Sequence, residues 1–287
     1  MLTWYLEEAV MAGSYEDLAR SIRDLGYEAV IALHYPEERF PIDSQLDVGY
    51  FVFHGSFQLA KEILKGKLWS PGVIGGSNLY ELDPFYNYKW VIAKSVLGDR
   101  MLSSNVTHME LGWLLESFHD RLKGAGMSAF FVRPMAIDKP FRGQVVGDTN
   151  VGATLEEFRL EISTYEVPMD TVVIYAPYRS VDEEWRLLLV GRKYVAGCLA
   201  IVDGKYVSEY KEPEGAVVDY ANRAARSLMH IGREPFIMDV ASSEGGLYVV
   251  EVSPFSCSDL YNIPTDAIAA SVSEYAVAEC LGGESSE

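Results

Sequence analysis

The sequence has few cysteines, and their arrangement excludes two kinds of stabilised small domain. The only three are Cys198, Cys257 and Cys280, an odd number that cannot all pair within one chain. No two of them form a CxxC motif. This usage is typical of a reducing compartment and argues against both a disulfide framework and a structural zinc site.

Basic residues are also scarce. There are 24 Lys and Arg against 42 Asp and Glu, which gives a formal net charge of −18. A protein that follows DNA or RNA along its phosphates needs a basic surface. The charge balance therefore predicts no nucleic-acid partner, and any polyanion must be bound by a local cluster of cations.

Long hydrophobic runs are absent. No stretch approaches the ~18 uninterrupted apolar residues of a membrane span. The first eight residues, MLTWYLEE, lack the basic segment that opens a signal peptide. Apolar residues make up 49% and charged residues 23%, an ordinary globular composition. We expect a cytoplasmic protein without a membrane partner.

The chain is long enough for two domains, and the secondary-structure signals change character along it. Residues 1–95 alternate strand and helix signals, which predicts a small α/β domain. Residues 67–100 are loop-like and contain the expected boundary. In residues 96–287, predicted hairpins alternate with helices, which is typical of α+β organisation. Two helix starts carry a capping-box pair, Thr107 with Glu110 and Thr154 with Glu157.

A cluster of cations stands out in this acidic chain. Arg133, Lys139 and Arg142 lie within ten residues, opposed only by Asp138. The flanking runs predict a hairpin with Lys139 in its loop. Lysine supplies a mobile point charge and arginine a planar fork, so such a loop can close over phosphates. The alternative is a solvated basic turn.

Two acidic residues lie on a second predicted hairpin, Phe236–Pro254. If its turn is centred on Gly245, Asp239 and Glu251 are directly opposite one another on the same face. Carboxylates in that arrangement repel, and a divalent cation with oxygen ligands would offset the repulsion. The alternatives are an exposed face or a register that differs by one residue.

A third segment, Asp182–Val190, predicts a strand with two different faces. Glu184 and Arg186 share one face, and Trp185 shares the other with two leucines. The strand before it ends near Tyr175, Ala176 and Pro177. In isolation, Glu184 and Arg186 would be an ordinary surface pair on an edge strand.

The order of these motifs resembles the ATP-grasp superfamily. Arg-Pro…Asp-Lys-Pro-Phe-Arg-Gly is followed by a strand ending at Ala-Pro, then Glu-Trp-Arg, then Met-Asp-Val…Val-Val-Glu-Val-Ser-Pro-Phe. They are most similar to the clade, frequent in phages and bacteria, that is named for two arginines and a lysine. The resemblance spans roughly residues 128–262. It implies two α+β halves that clasp ATP, preceded by the small α/β domain.

The resemblance assigns roles by position. Arg133 and Lys139 match the phosphate-contacting pair, and Arg186 matches the second arginine of the clade. Tyr175 and Ala176 match the hinge whose backbone meets the adenine edge, and Glu184 would lie near the ribose or the phosphates.

The same resemblance implies a magnesium site. Asp239 and Glu251 match the family's metal carboxylates. The family usually has Glu-x-Asn at this point, whereas this chain has Ser253, whose hydroxyl would replace an amide oxygen and bind magnesium more weakly.

The implied activity is an ATP- and Mg²⁺-dependent carboxylate–amine ligase that acts through an acyl phosphate on small-molecule or peptide substrates. Two alternatives share the nucleotide site. One is an ATP-grasp phosphotransferase, and the other is a nucleotide-binding module without turnover, which Ser253 favours.

Overall fold

The structure is a computed structural model, and it divides into two compact units. The residues that it describes are 2–8, 15–32, 50–66, 72–73, 75, 107–135, 140–147, 152–228 and 233–283. The first unit comprises Met1–Leu82, Val181–Ser242 and Val249–Glu287, and the second comprises Asp83–Ser180 and Ser243–Tyr248. The predicted boundary near residue 95 lies outside the described residues, so the division into 1–95 and 96–287 stays a prediction.

Strands and helices alternate at the N-terminus and then give way to hairpins with intervening helices. The strands are β1 Leu2–Glu7, β2 Glu28–Ala32, β3 Tyr50–His54, β4 Gly72–Val73, β5 Thr107–Glu110, β6 Ala129–Pro134, β7 Gln144–Gly147, β8 Val172–Pro177, β9 Glu183–Val190, β10 Lys193–Val202, β11 Lys205–Tyr206, β12 Phe236–Ser243 and β13 Gly246–Pro254. The helices are α1 Glu16–Asp24, α2 Phe57–Gly66, α3 Leu111–Ala125, α4 Leu155–Thr164, α5 Gly215–Ser227 and α6 Thr265–Gly283, with a short 3-10 helix at Phe255–Cys257.

The first unit contains two sheets. One is parallel, in the order β2-β1-β3-β4. This arrangement confirms the predicted α/β character of the N-terminal segment. The other has the order β11-β10-β9-β12-β13, and its β9 pairs antiparallel with both β10 and β12. Strand β9 therefore lies in the middle of its sheet, with neighbours that fix its register on both sides.

The core of the first unit joins both sheets through α6. Ile268 and Val272 of α6 belong to one buried cluster with Trp4 of β1 and with Leu188 and Ile237 of the second sheet. Trp4 also donates a hydrogen bond from Nε1 to the Ser273 hydroxyl at 2.9 Å, which satisfies its buried polar atom. This packing fixes β9 and β12 against α6.

The second unit has one antiparallel sheet, β5-β8-β6-β7, with α3 and α4. Phe118 of α3, Phe130 of β6 and Phe158 of α4 are buried in its core. The hairpin that the sequence predicts around the cationic cluster is confirmed, because β6 and β7 pair antiparallel. Its tip, including Lys139, lies outside the described residues.

One predicted capping box is confirmed and the other is wrong. At Thr154, the Glu157 backbone N–H donates to the threonine hydroxyl, and the Glu157 carboxylate accepts from the Thr154 backbone N–H. Thr107 and Glu110 instead form strand β5, which pairs with β8, and α3 begins only at Leu111. Pairing with a neighbouring strand overrides the local capping signal here.

In the described part of the chain, no helix has both the length and the apolar composition needed to cross a bilayer.

Trp185 of β9 is buried at 4% exposure, and its indole N–H has no hydrogen-bond partner in the described residues. We expect Trp185→Ala to lower the free energy of unfolding by about 3–5 kcal/mol. Trp185→Phe should cost clearly less, because it keeps most of the ring and removes an unsatisfied donor. Urea unfolding measures both changes.

The matched control is Leu281→Ala, which removes a large apolar side chain at 66% exposure from the same unit. It should change stability by no more than about 0.5 kcal/mol. Equal losses for Trp185→Phe and Trp185→Ala would show that the indole N–H contributes a hydrogen bond.

Candidate functional site

The centre of the candidate site is an ion pair between neighbouring strands. Arg186 of β9 lies directly opposite Asp239 of β12. Its Nε donates to Oδ1 at 2.9 Å and its Nη2 donates to Oδ2 at 2.8 Å. Only 12% of the arginine side chain and 4% of the aspartate side chain are exposed. This two-point, charge-assisted geometry is the strongest form of arginine–carboxylate contact.

Strand alternation explains why these two side chains meet. Trp185 and Arg186 are adjacent in β9, so their side chains leave opposite faces of the sheet. The predicted faces of this strand are confirmed, since Trp185 is buried while Arg186 reaches the carboxylate of Asp239. Half-buried Glu184 lies two residues earlier and shares the Arg186 face.

The loop after β13 completes the surroundings of the guanidinium. Nη1 of Arg186 donates to the backbone carbonyl of Asp259 at 2.8 Å, and the guanidinium carbon lies 4.3 Å from the centre of the Tyr261 ring. Burial alone would lower the pKa of Arg186, but the charge and hydrogen bonds of Asp239 outweigh it and raise the pKa. The site therefore contains a permanent, nearly buried cation.

Glu251 also acts on the charge of Arg186, and its position opposite Asp239 stays a prediction, although the turn of the hairpin differs from the predicted one. The loop of the β12–β13 hairpin is Glu244-Gly245, with φ of 51° and 76°, so the turn centre lies between these residues and not on Gly245. A regular two-residue hairpin would place Val250 opposite Asp239.

The alternation of β13 is irregular, however, because Val249 and Val252 are both buried although they are three residues apart. The charge of Glu251 is among the causes that raise the pKa of Arg186.

The charge balance of the site differs from the sequence expectation. On the sequence alone, we expect a divalent cation to offset the repulsion between Asp239 and Glu251. In the structure the Arg186 guanidinium supplies positive charge beside the Asp239 carboxylate, so the protein itself provides a cation at this point.

The side chains at this point still suit magnesium by their donor chemistry. Asp239 and Glu251 offer carboxylate oxygens, and the half-buried Ser253 follows Glu251 by two residues on β13. Magnesium is often held by one or two carboxylates together with waters and substrate phosphates. Within the described ranges, no group of three or more His, Cys, Asp or Glu side chains could hold a metal ion by itself. These residues therefore fit magnesium that arrives with a phosphate ligand.

The cationic hairpin belongs to the second unit. Arg133 lies near the end of β6, paired with Ile174 of β8, and is half-buried. A Cβ added to Gly143 would lie 2.8 Å from the Phe131 ring and 3.1 Å from the Arg133 Cβ, so the glycine leaves space for both side chains. Lys139 lies outside the described residues, so its position stays a prediction.

Tyr175 and Ala176 lie at the end of β8, the second strand of that sheet. Tyr175 is opposite Thr107 of β5 and Val132 of β6, and its hydroxyl accepts a 2.6 Å hydrogen bond from Arg121. Ala176 is opposite Phe131 of β6.

Sequence reasoning missed a buried polar network in the first unit. The Tyr15 hydroxyl donates to Nδ1 of His54 at 2.9 Å, while Nε2 of His54 donates to the carbonyl of Ser258 at 3.0 Å. This assignment of the ring proton follows from the carbonyl, which can only accept. Burial lowers the pKa of His54 to about 4, against the opposing effects of Ser258 and Asp259.

Asp259 and Tyr261 were also missed. They lie in the loop Ser256–Asn262, which has no hydrophobic periodicity. The sequence feature that could have identified this loop is its position directly after the strand that contains Glu251 and Ser253.

Comparison with known proteins gives a match by structure only. No family model matches the sequence, and no curated protein matches it. Among solved structures, the D-alanine–D-alanine ligase from Bacillus anthracis with ATP has a TM-score of 0.65 at 12% identity, covering 97% of each chain. A RimK-domain ATP-grasp protein from Sphaerobacter thermophilus has a TM-score of 0.61 at 14% identity, covering 96% of this chain and 100% of that one.

A further match is the ATP-grasp ligase PsnB, solved with a minimal precursor, Mg and ADP. Its TM-score is 0.50 at 13% identity, with 96% of each chain covered. Identities this low establish the fold alone. The chain has the ATP-grasp fold, as the order of its motifs predicted.

The buried His54 predicts a pH-dependent stability. Its pKa is about 4 in the folded protein and about 6.5 in the unfolded chain, so the unfolded chain takes up the proton first as the pH falls. The contribution of neutral His54 is complete above pH ~6.5 and is lost as the pH falls towards 4, by up to about 3 kcal/mol. Urea unfolding between pH 7 and 4, compared with His54→Gln, measures this difference.

Titrating carboxylates affect wild type and variant alike, and they cancel in the comparison. His119→Gln, at an exposed histidine of α3, should follow the wild-type curve. Parallel curves for wild type and His54→Gln would contradict the assignment of the pH dependence to His54.

Proposed function

We propose that the protein is an ATP- and Mg²⁺-dependent carboxylate–amine ligase. The observation that carries the proposal is the two-point ion pair between Arg186 and Asp239, in a chain that has the ATP-grasp fold over nearly its whole length. Proteins of this fold named above include ligases with ATP or with Mg and ADP. We also propose kinship with the clade named for two arginines and a lysine, and a cytoplasmic setting.

The proposed reaction has two steps. An oxygen of the carboxylate substrate attacks the γ-phosphorus of ATP, and the bond to the β-phosphate oxygen breaks to release ADP. The nitrogen of an amine then attacks the carbonyl carbon of the acyl phosphate, loses a proton and displaces phosphate, which leaves an amide. Catalysis of phosphoryl transfer is mostly positioning and charge neutralisation, so no protein nucleophile is needed.

The residues around Arg186 have the charges that this chemistry requires. The Arg186 guanidinium is a fixed cation for phosphate oxygens, and Asp259 and Asp239 hold it in place. Asp239, Glu251 and Ser253 would hold magnesium. When bound, magnesium neutralises phosphate charge.

The other proposed contacts are assigned by motif position. Arg133 and Lys139 would contact phosphate oxygens, and Glu184 would lie near the ribose or the phosphates. The backbone at Tyr175 and Ala176 would meet the adenine edge.

A second candidate function is nucleotide binding without turnover. It is favoured by Ser253, which lacks the amide oxygen of the usual motif, and by the engagement of both Asp239 oxygens with Arg186.

The test of the proposed function is ADP release from ATP and Mg²⁺ in the presence of mixed amino acids and short peptides. A ligase releases ADP only when a carboxylate and an amine are both supplied, and mass spectrometry then detects an amide. Binding of ATP without ADP release would select the module without turnover. A phosphorylated product without an amide would select a phosphotransferase.

The metal assignment predicts a magnesium-dependent stabilisation. Mg·ATP should raise the melting temperature more than ATP with a chelator does, because ligands that bind only the folded state stabilise it. Asp239→Asn and Glu251→Gln should each lose that magnesium-dependent part. Asp239→Asn should also lower the melting temperature without ligand, since Arg186 loses its charged partner.

The matched control is Glu244→Gln, at the exposed turn of the same hairpin, which should respond to magnesium as wild type does. Ser253→Asn should strengthen the response if Ser253 is a ligand. Full magnesium responses in both acid variants would place the metal on other residues.

A further inference from the structure

Tyr261 has an unfavourable backbone conformation for its residue type. Its φ is 45°, in the left-handed region that glycine, asparagine and aspartate adopt most easily. A bulky residue stays in this region only when the surrounding structure fixes it there, and such positions cluster at functional sites. The conformation therefore requires a local explanation.

Three hydrogen bonds fix the segment around Tyr261. The Tyr261 backbone N–H donates to the Asp259 carboxylate at 3.0 Å, and the Ile263 N–H donates to the Leu260 carbonyl at 3.0 Å. The Asn262 side chain donates to the Val207 carbonyl at 3.0 Å, which ties the loop to the residue after β11. The strained turn is thus held from inside and from a neighbouring element.

The turn aims the Tyr261 ring at the guanidinium of Arg186. The guanidinium carbon lies 4.3 Å from the ring centre, within the range of a cation–π contact. The Tyr206 ring, 5.1 Å away, packs against Tyr261. The same loop also presents the Asp259 carbonyl to Nη1 of Arg186. The face of the Tyr261 ring therefore contacts the guanidinium, and the Asp259 carbonyl accepts a hydrogen bond from the Nη1 atom of the same group.

We propose that Tyr261 is a positioning residue for Arg186, and that the strained turn at Asp259–Tyr261 serves to hold the guanidinium at the phosphate-binding position. Asp239 alone fixes the guanidinium at Nε and Nη2. Arg186 must stay in place when magnesium also binds the Asp239 carboxylate and the phosphates bind beside it. Tyr261 and the Asp259 carbonyl supply contacts that do not use that carboxylate.

A residue kept only for packing would behave differently. Loss of a packing role would lower the free energy of unfolding and leave the affinity for Mg·ATP unchanged. A positioning role through the ring is retained by phenylalanine and lost by small residues. The backbone strain adds a second distinction, since glycine relieves it and alanine does not.

The experiment rests in its first part on the proposed function, because it measures the affinity for Mg·ATP by calorimetry. Tyr261→Phe should bind within about twofold of wild type. Tyr261→Ala and Tyr261→Gly should both bind about three- to tenfold more weakly, the value of a lost cation–π contact. Tyr261→Gly should nevertheless melt at a higher temperature than Tyr261→Ala. The matched control is Tyr210→Leu, a half-exposed tyrosine on the segment between β11 and α5, which should bind as wild type does.

The second part needs no ligand. A double-mutant cycle on urea unfolding combines Tyr261→Ala with Arg186→Ala, or with Arg186→Gln where the alanine variant does not fold. Non-additive effects support the stacking contact, and additive effects overturn it. Wild-type affinity in Tyr261→Ala, or a loss in Tyr261→Phe equal to that in Tyr261→Ala, would also overturn the inference. If wild type binds no Mg·ATP, the proposed function fails and the cycle alone decides the role of Tyr261.

Discussion

The buried pair between Arg186 and Asp239 is the constraint on which the rest of the site depends. Taking two charges out of water is costly, and only good geometry with further hydrogen bonds compensates for it. Here the geometry comes from the fixed pairing of β9 with β12, and the further bond comes from the Asp259 carbonyl. A slip of one residue between these strands would leave both charges buried without their partner. The pair therefore specifies the register of the sheet as well as the charge of the site.

The Arg186–Asp239 pair also connects the strand pairing of the fold with the proposed phosphoryl transfer. A site for transferring phosphoryl groups needs fixed cations, and a buried arginine is a cation at every accessible pH. Its carboxylate partner is one of the proposed magnesium ligands, so in the proposed site Arg186 and the metal share Asp239. Such sharing would require other contacts to Arg186, which Tyr261 and Asp259 provide. The strain at Tyr261 would then have a functional reason, as strain at such sites commonly does.

The chain has the ATP-grasp fold although only about one residue in seven is identical to the residue of its structural neighbours. A core tolerates such divergence as long as apolar residues recur at the right period and fill the volume. Function depends instead on a few side chains in a fixed arrangement. Ser253, at a position where the resemblance implies asparagine, is such a side chain in the proposed site.

The sequence by itself determined the features that depend on local spacing. Strand alternation assigned Trp185 and Arg186 to opposite faces, the capping box at Thr154 marked the start of α4, and the motif order identified the fold. Local spacing failed at Thr107, where pairing with β8 was stronger than a capping signal. The tertiary structure alone decided that Arg186 is the cation beside Asp239, and that a loop residue, Tyr261, stacks on it. The reason is physical, since pairing between strands distant in sequence and the path of an aperiodic loop are set by packing of the whole unit, which no local pattern encodes.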